Sequence, residues 1–201
     1  MERNIHKIIA ALLLAAAFTG FVLDGQQTEL SGKIIRLHVV GASDSEYDQN
    51  LKLHVKDEIV AYLDELLDGA QDKSRAIAEI NGHISDIESA AAEAAEEYGS
   101  RTAVKCTVMR EPFPTRGYDT FSLPAGYYTS VRVTLGEGNG RNWWCVIYPQ
   151  VCTDAVTDKE DIERLGLSDD EASLMTQEGG YAVKFRFMEI IEKIKLYFAE
   201  K

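Results

Sequence analysis

Residues 129–148 constrain the chain most, because two strand-like runs face each other across a short glycine-rich connection. In 129–135, Val131, Val133 and Leu135 alternate with Ser130, Arg132 and Thr134, while nearly every residue from Trp143 to Tyr148 is apolar or aromatic. Period-two alternation marks a half-exposed strand, and a short continuous apolar run marks a buried one. The connection Gly136-Glu137-Gly138-Asn139-Gly140-Arg141-Asn142 can take positive φ without steric cost. Together these features predict an antiparallel hairpin.

Composition limits what surrounds that hairpin. The chain has 201 residues, enough for one domain with a real core. An apolar fraction of 45% and a charged fraction of 27% are those of a globular protein. A formal net charge of -12 with no basic run argues against nucleic acid as a partner. Three cysteines leave room for one bridge and one free thiol.

At the N-terminus, Arg3, His6 and Lys7 precede an uncharged run over 8–23 that ends at Asp24. A basic flank before an apolar run is an export signal. Residues 1–23 therefore read as a signal peptide or, uncleaved, an N-terminal membrane anchor. A buried core helix is the competing interpretation; charge asymmetry and terminal position favour targeting. Residues 24–32 read as a polar tether, and 33–201 as a single globular domain.

Along that domain, residues 33–40 alternate Ile35, Leu37 and Val39 against Arg36 and His38, predicting the first strand. A helix follows, with Ser45 as N-cap and Asp48 three residues on, or Ser43 and Glu46 one turn earlier. Leu51, Val55, Ile59, Leu63 and Leu66 share its apolar face, with Tyr62 beside them, and Gly69 ends it. Residues 71–98 predict a second, alanine-rich helix that Gly82 weakens. Residues 101–110 alternate as a strand, ended by Pro112 and Pro114. Short surface helices are expected at 158–165 and 168–176, and an amphipathic helix at 183–198. The fold class is α+β: a small antiparallel or mixed sheet packed against two long helices and a C-terminal amphipathic helix.

Two blocks carry a resemblance. FPTRGY at 113–118, LPAGYY at 123–128 and GEGNGRNWWCVIYPQVC at 136–152 resemble the stage II sporulation protein R family of endospore-forming bacteria, as does IRLHVVGASDSEYDQNLKLHV at 35–55. In the second block Asp44, Ser45, Asp48 and Gln49 match the family pattern. The resemblance implies a secreted signalling protein, exported from the forespore to the space between the two membranes. Its implied partner is the membrane-embedded aspartic peptidase that processes pro-sigma-E in the mother cell.

The residues themselves offer no enzyme motif. His-Glu-x-x-His, Gly-x-Ser-x-Gly, Asp-Thr-Gly and Asp-Ser-Gly are absent. The 136–140 glycines precede a strand-like run, whereas a phosphate loop needs a helix behind it. His38 and His54, with Asp44 and Asp57, read as an exposed strand histidine and a solvated helix face rather than a metal set or an acid–base set. No catalytic residue, metal or cofactor is expected. The competing function is an exported hydrolase acting on cell wall through an unrecognised site.

Adjacent tryptophans on a strand face opposite sides, so one of Trp143 and Trp144 can enter the core while the other stays at a surface. The expected partner-binding set is therefore Gly138, Gly140, Arg141, Asn142 and one of Trp143 or Trp144, with Asp44 and Gln49 next. Arg116-Gly117-Tyr118 and Tyr127-Tyr128 read as loops at its rim. A Cys145–Cys152 disulfide is expected, since export permits bridges and Pro149 favours a turn between them; Cys106 is expected as a buried strand thiol.

Overall fold

The first strand, β1 (Ile35–Val40), is buried at all six positions. A strand can be buried on both faces only in the interior of a covered sheet, and β1 lies there. The computed structural model describes residues 25, 27–118 and 121–149. After β1 come α1 (Glu46–Leu66), α2 (Lys73–Gly82), α3 (Ile84–Glu97), β2 (Val104–Phe113), β3 (Arg116–Gly117), β4 (Ser122–Leu123), β5 (Gly126–Leu135) and β6 (Asn142–Tyr148). The strand order is β2-β5-β1-β6, with β3 and β4 forming a separate pair.

This order corrects the predicted hairpin. β1 inserts between β5 and β6, pairing parallel with β5 (Leu37 beside Val131) and antiparallel with β6 (Leu37 beside Cys145). The sheet is thus mixed, and the fold is α+β. The physical reason lies in the connection: residues 136–142 cross the end of β1 instead of turning tightly between neighbours. Gly140 N donates to Gly41 O at 2.8 Å and Asn139 N to Ala42 O at 3.3 Å.

On one face of the sheet, Leu37, Val39, Val131, Val133 and Ile147 pack with the α1 stripe Leu51, Val55, Ile59 and Leu63 and with Ile87 and Ala91 of α3. Each large apolar side chain in that layer contributes about 1.5–3 kcal/mol. Ser45 caps α1, its hydroxyl accepting from Asp48 N at 3.1 Å. Gly69 and Gly99 follow α1 and α3 with φ of 78° and 85°.

Two further expectations change. The single helix over 71–98 is two, broken at His83, whose backbone N donates to both Glu79 O and Ile80 O. Gly82 just before the break is the least favourable residue for continuing a helix apart from proline. Pro112 does not end β2 but sits within it. An edge strand tolerates the missing N–H on its open side, and β2 is an edge.

The described residues fall into two compact units. The sheet and α1–α3 belong to 32–111 and 127–149. In the other unit, β3 pairs antiparallel with β4, the Tyr118 and Phe121 rings stack at 4.6 Å, and residues 27–31 are helical with Leu30 buried. The expected segments 1–23, 158–165, 168–176 and 183–198 lie outside the described residues.

Candidate functional site

The loop at 136–142 and the turn at 41–49 form one structure. Gly136 and Gly138 hold φ of 58° and 66°, a region that side chains avoid. At Gly140 the reason is space: a Cβ would meet Ser43 C at 2.7 Å and Gly41 O at 2.9 Å. Glycine therefore lets the two backbones touch. Arg141 N donates to Asp44 Oδ1 at 2.7 Å, and its guanidinium Nε lies 3.6 Å from the same oxygen. Asp44 and Arg141 side chains are both well exposed.

Beneath this exposed pair is a polar floor. Gln49 Nε2 donates to Ser43 O at 2.8 Å. Lys52 Nζ donates to Gln49 Oε1 at 2.7 Å and to Arg141 O at 3.0 Å. Lys52 is only 5% exposed. Burial, then the neighbouring Arg141 charge, lowers its pKa, with Asp44 opposing. Gln49 thus braces the turn, and Lys52 ties it to the loop. Lys52 was missed by sequence reasoning; its signal is its position three residues after Gln49 and directly after the buried Leu51.

The tryptophans divide as their adjacency requires. Trp143 is half-buried against the helix-covered core, with Lys56 Nζ 5.1 Å from its ring centroid. Trp144, also half-buried, points to the other face, its ring 5.7 Å from that of His38. Asn142 opens β6 beside it.

That other face corrects the expectation of an exposed strand histidine. His38 is 7% exposed. Its Nδ1 lies 3.0 Å from Glu111 Oε1 and its Nε2 2.9 Å from Asn142 Oδ1. Glu111 also accepts from Ser130 Oγ at 2.5 Å and from Arg132 Nη1 at 3.1 Å. Burial acts to raise the Glu111 pKa, but the His38 and Ser130 hydrogen bonds and the nearby Arg132 outweigh it and hold the carboxyl below its usual value. The alternating polar residues thus form a buried network across the sheet. Tyr128 corrects the rim assignment in the same way: Tyr127-Tyr128 lie within β5, and Tyr128 is fully buried with the Arg36 guanidinium 5.1 Å from its ring centroid. Arg116 and Gly117 form β3 in the other unit.

Serine, histidine and glutamate together invite comparison with a nucleophile system, but the geometry differs. Ser130 is fully buried and donates to Glu111, while both histidine ring nitrogens face other partners. A nucleophile needs its hydroxyl on the base and open to substrate. His54, on α1, is half-buried with its ring 5.4 Å from that of Tyr98. Among the described residues no group of three or more His, Cys, Asp or Glu is placed to hold a metal ion.

Comparison with known proteins gives a consistent picture. The stage II sporulation protein R family model matches residues 31–158, which contain the whole turn-and-loop surface. Stage II sporulation protein R of Bacillus subtilis (strain 168) is 30% identical over 165 residues, 76% of this chain and 74% of that protein. No solved structure matches the chain.

Proposed function

Because this chain belongs to the stage II sporulation protein R family, we propose that it is an exported signalling protein that binds and activates a membrane-embedded aspartic peptidase. Activation lets that peptidase cleave pro-sigma-E in the mother cell, with this protein delivered from the forespore to the intermembrane space. The basic flank at Arg3, His6 and Lys7 and the apolar run over 8–23 support export; the run lies outside the described residues. In this reading the protein is not an enzyme, and it acts by contact.

One observation carries the reading. The glycine loop and the 41–49 turn are locked together by backbone hydrogen bonds and a buried lysine, yet they present the exposed pair Asp44 and Arg141. A rigid scaffold holding an exposed loop is a common binding design. Half-buried Trp144 on β6 supplies an aromatic anchor in the same stretch. Contact residues are then Asp44, Arg141, Asn142 and Trp144, while Gly138, Gly140 and Gln49 hold the shape. Trp143, set against the core, is assigned to structure. A Cys145–Cys152 disulfide belongs to this exported state, with Cys152 outside the described residues; Cys106 is a free, buried thiol.

Reconstitution tests the proposal: pro-sigma-E and the peptidase in membranes, with and without this protein added from the opposite side. Cleavage that requires the protein supports it. Cleavage that is indifferent to the protein removes it, and hydrolysis of peptidoglycan by the protein alone supports the hydrolase alternative.

A further inference from the structure

α1 and α3 pack antiparallel, and between their outer faces lies a groove of about 290 Å³. Its walls carry Glu58 and Glu65 from α1 and Glu93 and Glu97 from α3. Ala61, Ala90 and Ala94 are the small residues that keep it open. Among the described residues no lysine or arginine lines it. Among the described residues, none of the four carboxylates is paired with a cation.

That arrangement works against the fold's own stability. Glu93 and Glu97 are like charges four residues apart, which repel on a helix surface. Glu96 and Glu97 stand in the last turn of α3, where the helix dipole is negative and no basic residue compensates. A local rule broken without a compensating partner among the described residues is where function is expected.

A second feature neighbours the groove in sequence, one residue beyond Glu97 and one turn before Glu58. Tyr47 is 50% exposed and Tyr98 37%, and their rings lie 5.5 Å apart. Tyr98 follows the wall residue Glu97, and His54, one turn before Glu58, packs on the same Tyr98 ring. Tyrosine faces attract cations, so the aromatic pair and the acidic walls select the same charge.

We propose that this groove docks a basic amphipathic helix of a partner protein, with lysine or arginine on the carboxylates and tyrosines and small apolar residues over the alanines. Charge complementarity and the alanine floor identify this occupant, and helix-in-groove docking is an established mode of recognition. The surface is separate from the turn-and-loop surface, and the inference does not rest on the signalling reading.

The test uses a fluorescein-labelled amphipathic lysine–alanine peptide and its glutamate–alanine counterpart, titrated with the full chain by fluorescence anisotropy. The lysine peptide is expected to bind, more weakly at high salt, and the glutamate peptide not to bind. The triple variant Glu58→Gln, Glu93→Gln, Glu97→Gln is expected to weaken binding about tenfold, the size that three exposed ion pairs supply together. Tyr98→Ala is expected to weaken it as well. A control triple elsewhere, Glu46→Gln, Asp68→Asn, Glu137→Gln, makes the same change in net charge and should leave affinity within about twofold. Absence of binding by the unmodified protein overturns the proposal. So does an equal loss in the control triple, which would show attraction to net charge alone. Glutamine variants relieve repulsion, so thermal unfolding should confirm that they stay folded.

Discussion

Arg141 and Asp44 are 97 positions apart in the chain, and the Arg141 backbone N–H donates to Asp44 Oδ1 at 2.7 Å. That bond joins the loop after β5 to the turn after β1. It can form because β1 lies between β5 and β6, so that both connections emerge at one end of the sheet.

Gly140 is where the two backbones come closest. Gly140→Ala is expected to cost about 1–3 kcal/mol, because the Ser43 and Gly41 carbonyls must move. Gly82→Ala should do the opposite. A Cβ there meets nothing within 4 Å, so the change is expected to stabilise by about 0.4–1 kcal/mol. Urea denaturation of both variants measures this; a neutral Gly140→Ala would mean the turn and loop are not held together.

The buried network predicts acid sensitivity. The Glu111 carboxyl is held below its usual value of 4.5, so its contribution is full above that pH and is lost as pH falls through the lower folded value. Stability should therefore decline below about pH 4.5 more steeply than in Glu111→Gln. That variant should also lose about 1–3 kcal/mol at neutral pH, since Arg132 and His38 lose their carboxylate. Urea midpoints measured across pH for both proteins check the sign and the slope.

The cysteines should separate chemically. Burial, and then the nearby Glu88, pushes the Cys106 thiol up to about 12. Alkylation of the non-reduced native protein is expected to label none of the three, and unfolding without reductant to expose Cys106 alone. Mass mapping of the peptide containing Cys145 and Cys152 decides; label on both would refute the bridge.

Much of this structure could be read from local pattern. The alternation of Val131, Val133 and Leu135, the α1 stripe at Leu51, Val55, Ile59 and Leu63, and the Ser45 cap all depend on neighbours within one turn or one pleat. Strand order does not. Whether β6 returns beside β5 or beside β1 is set by backbone pairing at long range, so proximity in sequence suggested a hairpin. The polar face of β1 misled for a related reason. His38 looks like a solvent-facing residue in a period-two pattern, but its partners Glu111 and Asn142 lie 73 and 104 residues away. Alternation distinguishes two faces and cannot say that both are covered. At the candidate site, Asp44, Gln49, Gly140 and Arg141 were each visible, while their union and the buried Lys52 beneath them emerged only with the fold.

The most direct test of the account compares Arg141→Ala, Trp144→Ala and Trp143→Ala in thermal unfolding and in reconstituted pro-sigma-E cleavage. Arg141 meets Lys52 and Asp44 through its backbone, and its side chain is 69% exposed. Its truncation should therefore change stability by less than about 0.5 kcal/mol. Trp143→Ala should lose about 3 kcal/mol of stability, as a core truncation does. Trp144→Ala should stay folded and raise the concentration needed for half-maximal cleavage about thirtyfold, equivalent to about 2 kcal/mol. The account predicts that Arg141→Ala and Trp144→Ala fold normally yet need a much higher concentration to activate. It is contradicted if both activate normally, or if every loss of activation matches a loss of folding.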